Sequence, residues 1–425
     1  MEDLKKVLYF PIASYFRFFA VIRLRRWHPK IVVVTGSSGK TTLLHLLESQ
    51  IGESAKYSHH ANSSFGIPFD VLDLHRKSLR LSEWVSLFLK APGSAFKNLP
   101  KEKIYIVEVD CDRPGEGKFL ATFLKPAIVL WLNVSRTHSM NFDELVKEKK
   151  FNNIDEAIAF EYGYLLKYCS EYAIINGDIP WETKQKERTK AQVIEITNDA
   201  YLQQYAVDHE ETTFTIKDQK YSFNALFPEE LFYSIAMCKE AVEKLNLSFD
   251  KTFARFVLPP GRSSFFQGIK NTTLIDSSYN ANLASTRALL RMFAKFPAKT
   301  KWVVVGDMLE LGELEKEEHE KLAEILSKMD LQKIILFGPR TAKHTAQKLK
   351  ELKVSPQKVE IFQSLHDLDK YIHDNLNGGE AILFKGSQSM LLEGVIERLL
   401  KNKKDAEQLP RREQIWKERR AKKLA

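Results

Sequence analysis

Residues 30–42 read KIVVVTGSSGKTT. A β-branched run ends in a glycine-rich turn, and helical periodicity begins at once in residues 41–50, TTLLHLLESQ. This pattern predicts a buried strand, a tight turn and a helix. That order aims the backbone N–H groups of the turn at an anion, and a phosphate suits them. Lys40, which follows a glycine at the mouth of the helix, supplies a point charge for β and γ phosphates. The hydroxyl of Thr41 is placed to ligate Mg²⁺. The strict G-x-x-x-x-G-K-[ST] spacing fails, because Val34 stands where the first glycine belongs. What is present is a G-x-x-G-K-T-T variant that starts at Gly36. Alone, such a turn is as readily a helix cap as a phosphate loop. The strand before it and the helix after it favour the phosphate loop.

Working outward, residues 104–109 (IYIVEV), 127–133 (AIVLWLN) and 172–176 (YAIIN) are further buried-strand candidates with helical stretches between them. Strands alternating with helices imply a parallel sheet covered on both faces. The alternation restarts after residue 260, with strands expected at 272–276, 301–306, 333–338, 359–362 and 381–386. The expected fold class is therefore α/β: a central P-loop ATPase-type parallel-sheet domain followed by a Rossmann-like C-terminal domain. The expected divisions are an amphipathic basic N-terminal segment at 1–29, a central ATP-binding domain at 30–260, a C-terminal Rossmann-like domain at 261–400 and a basic helical tail at 401–425. Between the two sheets, residues 211–227 alternate as a hairpin would.

The chain of 425 residues carries a formal charge of +9. Residues 1–30 hold +5 and residues 401–425 hold +6, so residues 31–400 stand at −2. A basic balance ordinarily suggests nucleic acid or an anionic membrane, but here the excess lies wholly in the two ends. With 44% hydrophobic and 28% charged residues, the chain is neither disordered nor a multi-span membrane protein. Three widely spaced cysteines, Cys111, Cys169 and Cys238, indicate no disulfide framework and point to a reducing cytoplasm. The N-terminal apolar run is broken by Pro11 and Arg17 and is too short to span a bilayer. Two readings remain for residues 5–30. One lays them on an anionic membrane at the inner face of the cell. The favoured one packs them as a helix on the first domain with their arginines in solvent. The tail has no stacking-aromatic groove beside it, so nucleic acid is not expected as a partner. A monomer is expected.

A second constellation accompanies the phosphate loop. Glu108 ends a strand in IVEVDCDRPGE and His138 follows another in LWLNVSRTHS. Strand carboxyl ends converge on the ligand crevice of an open α/β sheet, so both can approach a metal-bound phosphate. The metal set read here is Thr41, Glu108 and His138. No Ser-His-Asp or Cys-His arrangement is apparent, so no protein nucleophile is expected.

The ordered strings TGSSGKTT, NSSFGIP (62–68), IVEVDCDRPGE, LNVSRTH, INGD (175–178), PGR (260–262), LIDSSYNAN (274–282), VVVGDMLELGE (303–313) and LFKGS (383–387) resemble the Mur ligase superfamily. The later strings are most similar to the MurF type, UDP-N-acetylmuramoyl-tripeptide:D-alanyl-D-alanine ligases. The resemblance implies an ATP-dependent ligase that joins a carboxylate to an amine through an acyl phosphate, with ATP and Mg²⁺, on a cell-envelope peptide precursor. It implies that Lys40, Glu108, His138 and Arg262 serve catalysis. Gly36, Ser37, Ser38, Gly39, Lys40, Thr41 and Thr42 would cradle phosphate. Asp276, Asn280 and Asn282 would hold ribose and adenine, and Asn62, Lys385 and Ser387 would face substrate. Alternatives are a polyglutamate or folylpolyglutamate-type ligase and a catalytically weak ATP-binding scaffold at the membrane.

The sequence also departs from the family. EAIAFEYGYLL (156–166) aligns with a string like EGIARAKGELL, so Tyr162 occupies the place of a carbamoylated, metal-bridging Lys. Lys147, Lys149 and Lys150 lie close by as substitutes. Ser277, Leu283 and Gln388 stand for a frequent Asp, Pro and Arg. Only about 30 residues precede the phosphate loop, where MurF-type enzymes carry a UDP-sugar-binding domain. The carboxylate substrate is thus left open among lipid-linked, peptide and polymer ends.

Overall fold

The computed structural model describes residues 2–59, 61–76 and 81–424. The chain forms two compact units: Met1–Ser135 with Glu144–Tyr201 and Tyr233–Val257, and Arg136–Asp143 with Leu202–Phe232 and Leu258–Ala425.

The first unit is built on a parallel sheet of β1 (Lys30–Thr35), β2 (Ala55–Tyr57), β3 (Ile104–Val109), β4 (Ile128–Trp131), β5 (Tyr172–Asn176) and β6 (Gln192–Ile196), in the spatial order β2-β3-β1-β4-β5-β6. Central strands that are buried on both faces need apolar residues at their centre: Val32, Val33 and Val34 of β1 and all of β4 are buried. β1 pairs with β3 on one side and β4 on the other, so the chain crosses from one side of β1 to the other between β3 and β4. Ligands collect at the carboxyl ends of such strands. The edge strands β2 and β6 escape a pattern search because one has three residues and the other is half exposed.

The N-terminal helix Glu2–Trp27 packs on the helices Gly66–Leu72 and Leu81–Ala95. Ala13, Phe16, Ala20, Leu24 and Trp27 recur at helical spacing and are buried. Arg23 does not stay in solvent as expected. Its guanidinium is buried and donates to the carbonyls of Leu72 (3.2 Å), Ser94 (2.9 Å) and Asn98 (3.0 Å). A buried charge needs such partners, and three backbone carbonyls supply them.

The second unit holds an antiparallel three-stranded sheet, β7 (Leu202–Val207), β8 (Thr212–Ile216) and β9 (Gln219–Phe223), and a six-stranded sheet. The latter comprises β10 (Ser264–Gln267), β11 (Thr273–Ser277), β12 (Lys301–Gly306), β13 (Lys333–Phe337), β14 (Val359–Phe362) and β15 (Ala381–Lys385), ordered β10-β11-β15-β12-β13-β14. Only β10 runs antiparallel, and helices cover both faces with apolar cores. Both units match the α/β class read from the sequence.

The basic tail is partly internal. Arg411 makes a two-pronged contact with buried Glu393, Nε to Oε1 at 2.9 Å and Nη2 to Oε2 at 2.6 Å, and Arg420 adds Nη1 to Oε1 at 3.1 Å. Two guanidiniums satisfy one carboxylate, and Arg411 also donates to the carbonyls of Ser278 (2.9 Å) and Tyr279 (3.1 Å). Removing one partner of a buried pair strands the other charge. Arg411→Ala is therefore expected to destabilise the protein by about 3–5 kcal/mol, read as a lower urea midpoint, whereas exposed Lys417→Ala should leave the midpoint within experimental error.

Candidate active site

In the first unit the turn after β1 is shaped by two glycines. Gly36 has φ +132°, and a Cβ there would meet the backbone N and O of Asn133 at 3.0 and 3.1 Å. Gly39 caps the following helix Lys40–Ile51 at φ +84°. Both are backbone conformations in which an L side chain is strained. The loop after β4 braces the turn: Ser37 N donates to Asn133 O (3.0 Å), and Ser38 N donates to Asn133 Oδ1 (2.9 Å). The turn is thereby held with its helix N-terminus open toward an anion.

Lys40 is buried, with Nζ 2.6 Å from Gly36 O and 2.6 Å from Asp110 Oδ1. Burial opposes its charge, but Asp110 and Glu108 outweigh that and hold the ammonium above its ordinary value. Thr41 Oγ1 donates to Glu108 Oε2 at 2.9 Å. A hydroxyl and a carboxylate in contact at the mouth of this glycine turn are hard oxygen donors of the kind Mg²⁺ takes, so these two residues fit that ion. Asn62 Nδ2 donates to Asp110 Oδ2 at 2.5 Å, which ties the predicted substrate residue to the same carboxylate as Lys40.

Tyr162 is buried against Trp131, ring centroids 5.8 Å apart, and its phenol lies beside Ser37. Burial, then Asp110, pushes its ionisation well above the ordinary range. The phenol is thus a neutral group beside the glycine turn. Lys149 and Lys150 are exposed, and Lys150 pairs with Glu148 at 2.6 Å.

The second unit gathers most of the remaining predicted residues. Asp276 is the last residue but one of β11, and Lys385 ends the neighbouring β15 in register with Ser277. Asp276 is fully buried, accepts from Ser278 N (2.9 Å) and leaves Oδ2 without a partner among the described residues. Burial raises its pKa to about 6. Lys385 is buried too, with Nζ 2.7 Å from Asn280 O. Burial first, then the Arg262 charge, lowers its pKa to about 7. Arg262 lies over the Tyr279 ring at 4.5 Å. Asn282 caps the helix Leu283–Lys295 through Ser285 N (2.8 Å) and donates to Thr137 Oγ1 (3.1 Å). Ser387 Oγ accepts from Leu309 N at 3.1 Å. His138 belongs to this unit, in the left-handed region at φ 54°, and pairs with Glu310. His138, Asn280, Asn282 and Ser387 line one cavity of about 680 Å³.

Residues 34–232 match the Mur ligase middle domain, and residues 261–388 match the Mur ligase glutamate ligase domain. The chain belongs to the Mur ligase family. It is an ATP-dependent amide-bond-forming ligase. UDP-N-acetylmuramoyl-tripeptide–D-alanyl-D-alanine ligases from Bacillus subtilis and Borreliella burgdorferi are 23% and 27% identical to it, over 88% and 86% of this chain and 76% and 74% of theirs. The same fold is found in a MurF ligase from Thermotoga maritima in complex with ADP, with TM-score 0.72, 22% identity, and coverage of 93% of this chain and 84% of that one. A MurF from Acinetobacter baumannii gives TM-score 0.73 and 19% identity over 92% and 81%.

As a Mur ligase, the chain places Lys40, Thr41, Glu108 and Asn62 together in its first unit and Arg262, Asp276, Asn280, Lys385 and Ser387 in its second. Three residues absent from the sequence reading matter as much. Asp110 is the partner of Lys40, and its Asp-Cys-Asp context gives only a weak sign of that. Glu393 and Arg411 anchor the Ser278–Tyr279 carbonyls, and no local motif marks them.

Asp276 gives a pH test. Its folded pKa lies above the unfolded value of 3.8, so its contribution is fully present below pH 4 and is lost as pH rises through 6. Asp276→Asn is expected to be more stable than wild type by roughly 2–3 kcal/mol at pH 7.5, with the two converging near pH 4 in denaturant titrations of the ligand-free protein.

Proposed function

We propose that this Mur ligase joins the carboxylate of a cell-envelope peptide precursor to the amine of an amino acid or dipeptide. The observation that carries the reading is the buried Lys40 ammonium, held at the mouth of the phosphate loop beside the Thr41–Glu108 oxygen pair. Lys40 and the loop amides Ser37 to Thr42 hold the ATP phosphates. Thr41 and Glu108 hold Mg²⁺, which neutralises charge on the phosphates when bound. His138 is available to a second ion or to the substrate. Asp276, Asn280 and Asn282 receive the ribose and base.

The carboxylate oxygen attacks the γ-phosphorus; an O–P bond forms as the bond to the β-phosphate oxygen breaks, and ADP leaves. The amine then attacks the acyl carbon, the C–N bond forms, and inorganic phosphate departs. The amine must lose a proton in this step. Lys385, with its pKa lowered to about 7, suits the role of receiving it. Charge rather than a protein nucleophile does the activating, so Lys40, Arg262 and the metal ligands account for the chemistry. The relatives' names make a muramoyl peptide and D-alanyl-D-alanine the first substrates to try.

A second, peripheral reading rests on exposed apolar side chains. Phe18, Val85, Leu89 and Phe96 are exposed in the first unit, and the Arg26 guanidinium lies 5.7 Å from the Phe96 ring centroid. Apolar groups rimmed by arginine suit an anionic bilayer surface. No helix of the described residues is long and apolar enough to cross a membrane.

Three outcomes are expected. ADP release depends on both a carboxylate and an amine, and Lys40→Ala lowers kcat by about a hundredfold or more; ATP turnover with no amine dependence across a broad panel would count against a ligase. The kcat/KM profile for the amine shows an ionisation near pH 7 that Lys385→Arg removes. Vesicles containing phosphatidylglycerol float the protein and phosphatidylcholine vesicles do not, and Phe18→Ser with Leu89→Ser abolishes flotation.

A further inference from the structure

One turn along the helix Lys40–Ile51 from Thr41, a second set of side chains faces the loop that follows β2. His45 and Glu48 stand three positions apart and so share one face of the helix. His59 lies two residues past the end of β2. Glu48 meets the two imidazoles with different oxygens: Oε2 lies 3.5 Å from His45 Nδ1, and Oε1 lies 3.1 Å from His59 Nε2. The two rings are 5.0 Å apart and tilted at 40° to each other. The three ligand atoms all lie within 4.8 Å of one another, and among the described residues no other group of three His, Cys, Asp or Glu side chains converges in this way.

The backbone under this set is fixed by the sheet. Ser58 N donates to Ile106 O of β3 (3.1 Å), and Ser58 Oγ accepts from Glu108 N (2.9 Å), so the residue before His59 is tied down through both its backbone and its side chain. Tyr57 stacks on the His59 ring, centroids 5.8 Å apart at 26°, and its hydroxyl donates to Gly52 O (2.8 Å). The ring that carries one ligand is therefore held by a neighbour that is itself anchored just past the helix end. The side chains of His45, Glu48 and His59 keep 26%, 39% and 31% of their surface in solvent, which gives an ion a path in without opening the fold.

We infer that His45 Nδ1, the Glu48 carboxylate and His59 Nε2 form a binding site for one divalent transition-metal ion of the Zn²⁺ class. Tetrahedral bonds of about 2.0–2.1 Å set ligand atoms about 3.4 Å apart. The two separations at Glu48 stand near that value, and rotation of two half-buried rings closes the third. Two imidazoles and a carboxylate suit zinc, nickel or copper, whereas magnesium and calcium take oxygen throughout. The nitrogens already face the carboxylate, so the ion replaces existing contacts and little is spent on assembling the site. Three protein ligands leave the remaining coordination to water. An ion held there clips the loop leading to Asn62 onto the helix that carries Lys40. The site shares no residue with the Thr41–Glu108 oxygen pair and stands apart from the ligase reading.

The test is calorimetric titration of the full chain with ZnCl₂, after metal is stripped with EDTA and the chelator removed, with millimolar MgCl₂ present throughout to fill oxygen-only sites. One equivalent of Zn²⁺ is expected to bind with a Kd of about 1 μM or below. His45→Ala and Glu48→Gln should each weaken binding by at least the roughly 10- to 100-fold that loss of an outer-shell partner costs. The triple variant His45→Ala, Glu48→Gln, His59→Ala should abolish it, and either single variant decides the matter if the triple variant does not fold. His75→Ala, which removes an exposed histidine outside the set, should bind as wild type does. Saturating Zn²⁺ should raise the urea midpoint of wild type and leave that of the triple variant in place. The inference falls if no equivalent of Zn²⁺ binds, if Mg²⁺ displaces it, or if the His45 and Glu48 variants keep the wild-type affinity. No nucleotide or substrate enters the titration, so failure here leaves the ligase reading standing, and absence of ligase turnover leaves the metal site standing.

Discussion

A lysine ammonium without water must have partners, and the first unit is arranged around that requirement. Lys40 can be buried only because Asp110 and the Gly36 carbonyl both meet it at 2.6 Å. Asp110 follows β3 and Gly36 follows β1, so the parallel pairing of those strands is what brings them to one place. The glycine conformation at Gly36 then turns its carbonyl inward, and the Asn133 side chain and backbone lock the loop from the next strand.

The second unit solves the opposite problem. Glu393 is fully buried and two arginines from the tail are spent on it. Arg411 also donates to the carbonyls of Ser278 and Tyr279, so the segment that carries Asn280 is shaped by a residue more than 130 positions away. Beside it, Asp276 and Lys385 are buried with incomplete pairing and have their ionisations drawn toward neutrality from opposite sides. Titratable groups left so in the interior mark a site that has work to do with ligand.

The two charged ends of the chain are built into the fold. In the structure Arg23 stitches helix ends together, and Arg411 and Arg420 are internal struts. Local sequence could not tell this. A basic run is a solvated face in most contexts, and what makes these three exceptions is a carboxylate or a set of carbonyls far away in the chain. Asp110 escaped notice for the same reason: the DCD stretch reads as a loop until β1 and β3 are paired.

The sequence by itself determined the α/β class, the two largely parallel sheets and the strand, glycine turn and helix that follow one another in residues 30–51. Those depend on short-range patterns: β-branched runs, helical periodicity, and glycines where only they fit. The shortest and most exposed strands, β2 and β6, lay below that signal. Tertiary structure decided which charges are buried and with whom, because burial and pairing depend on contacts between segments distant in sequence. It turned Tyr162 inward to sit as a neutral phenol beside Ser37, and it brought a tail outside the matched domains to the wall of the cavity holding Asn280 and Ser387.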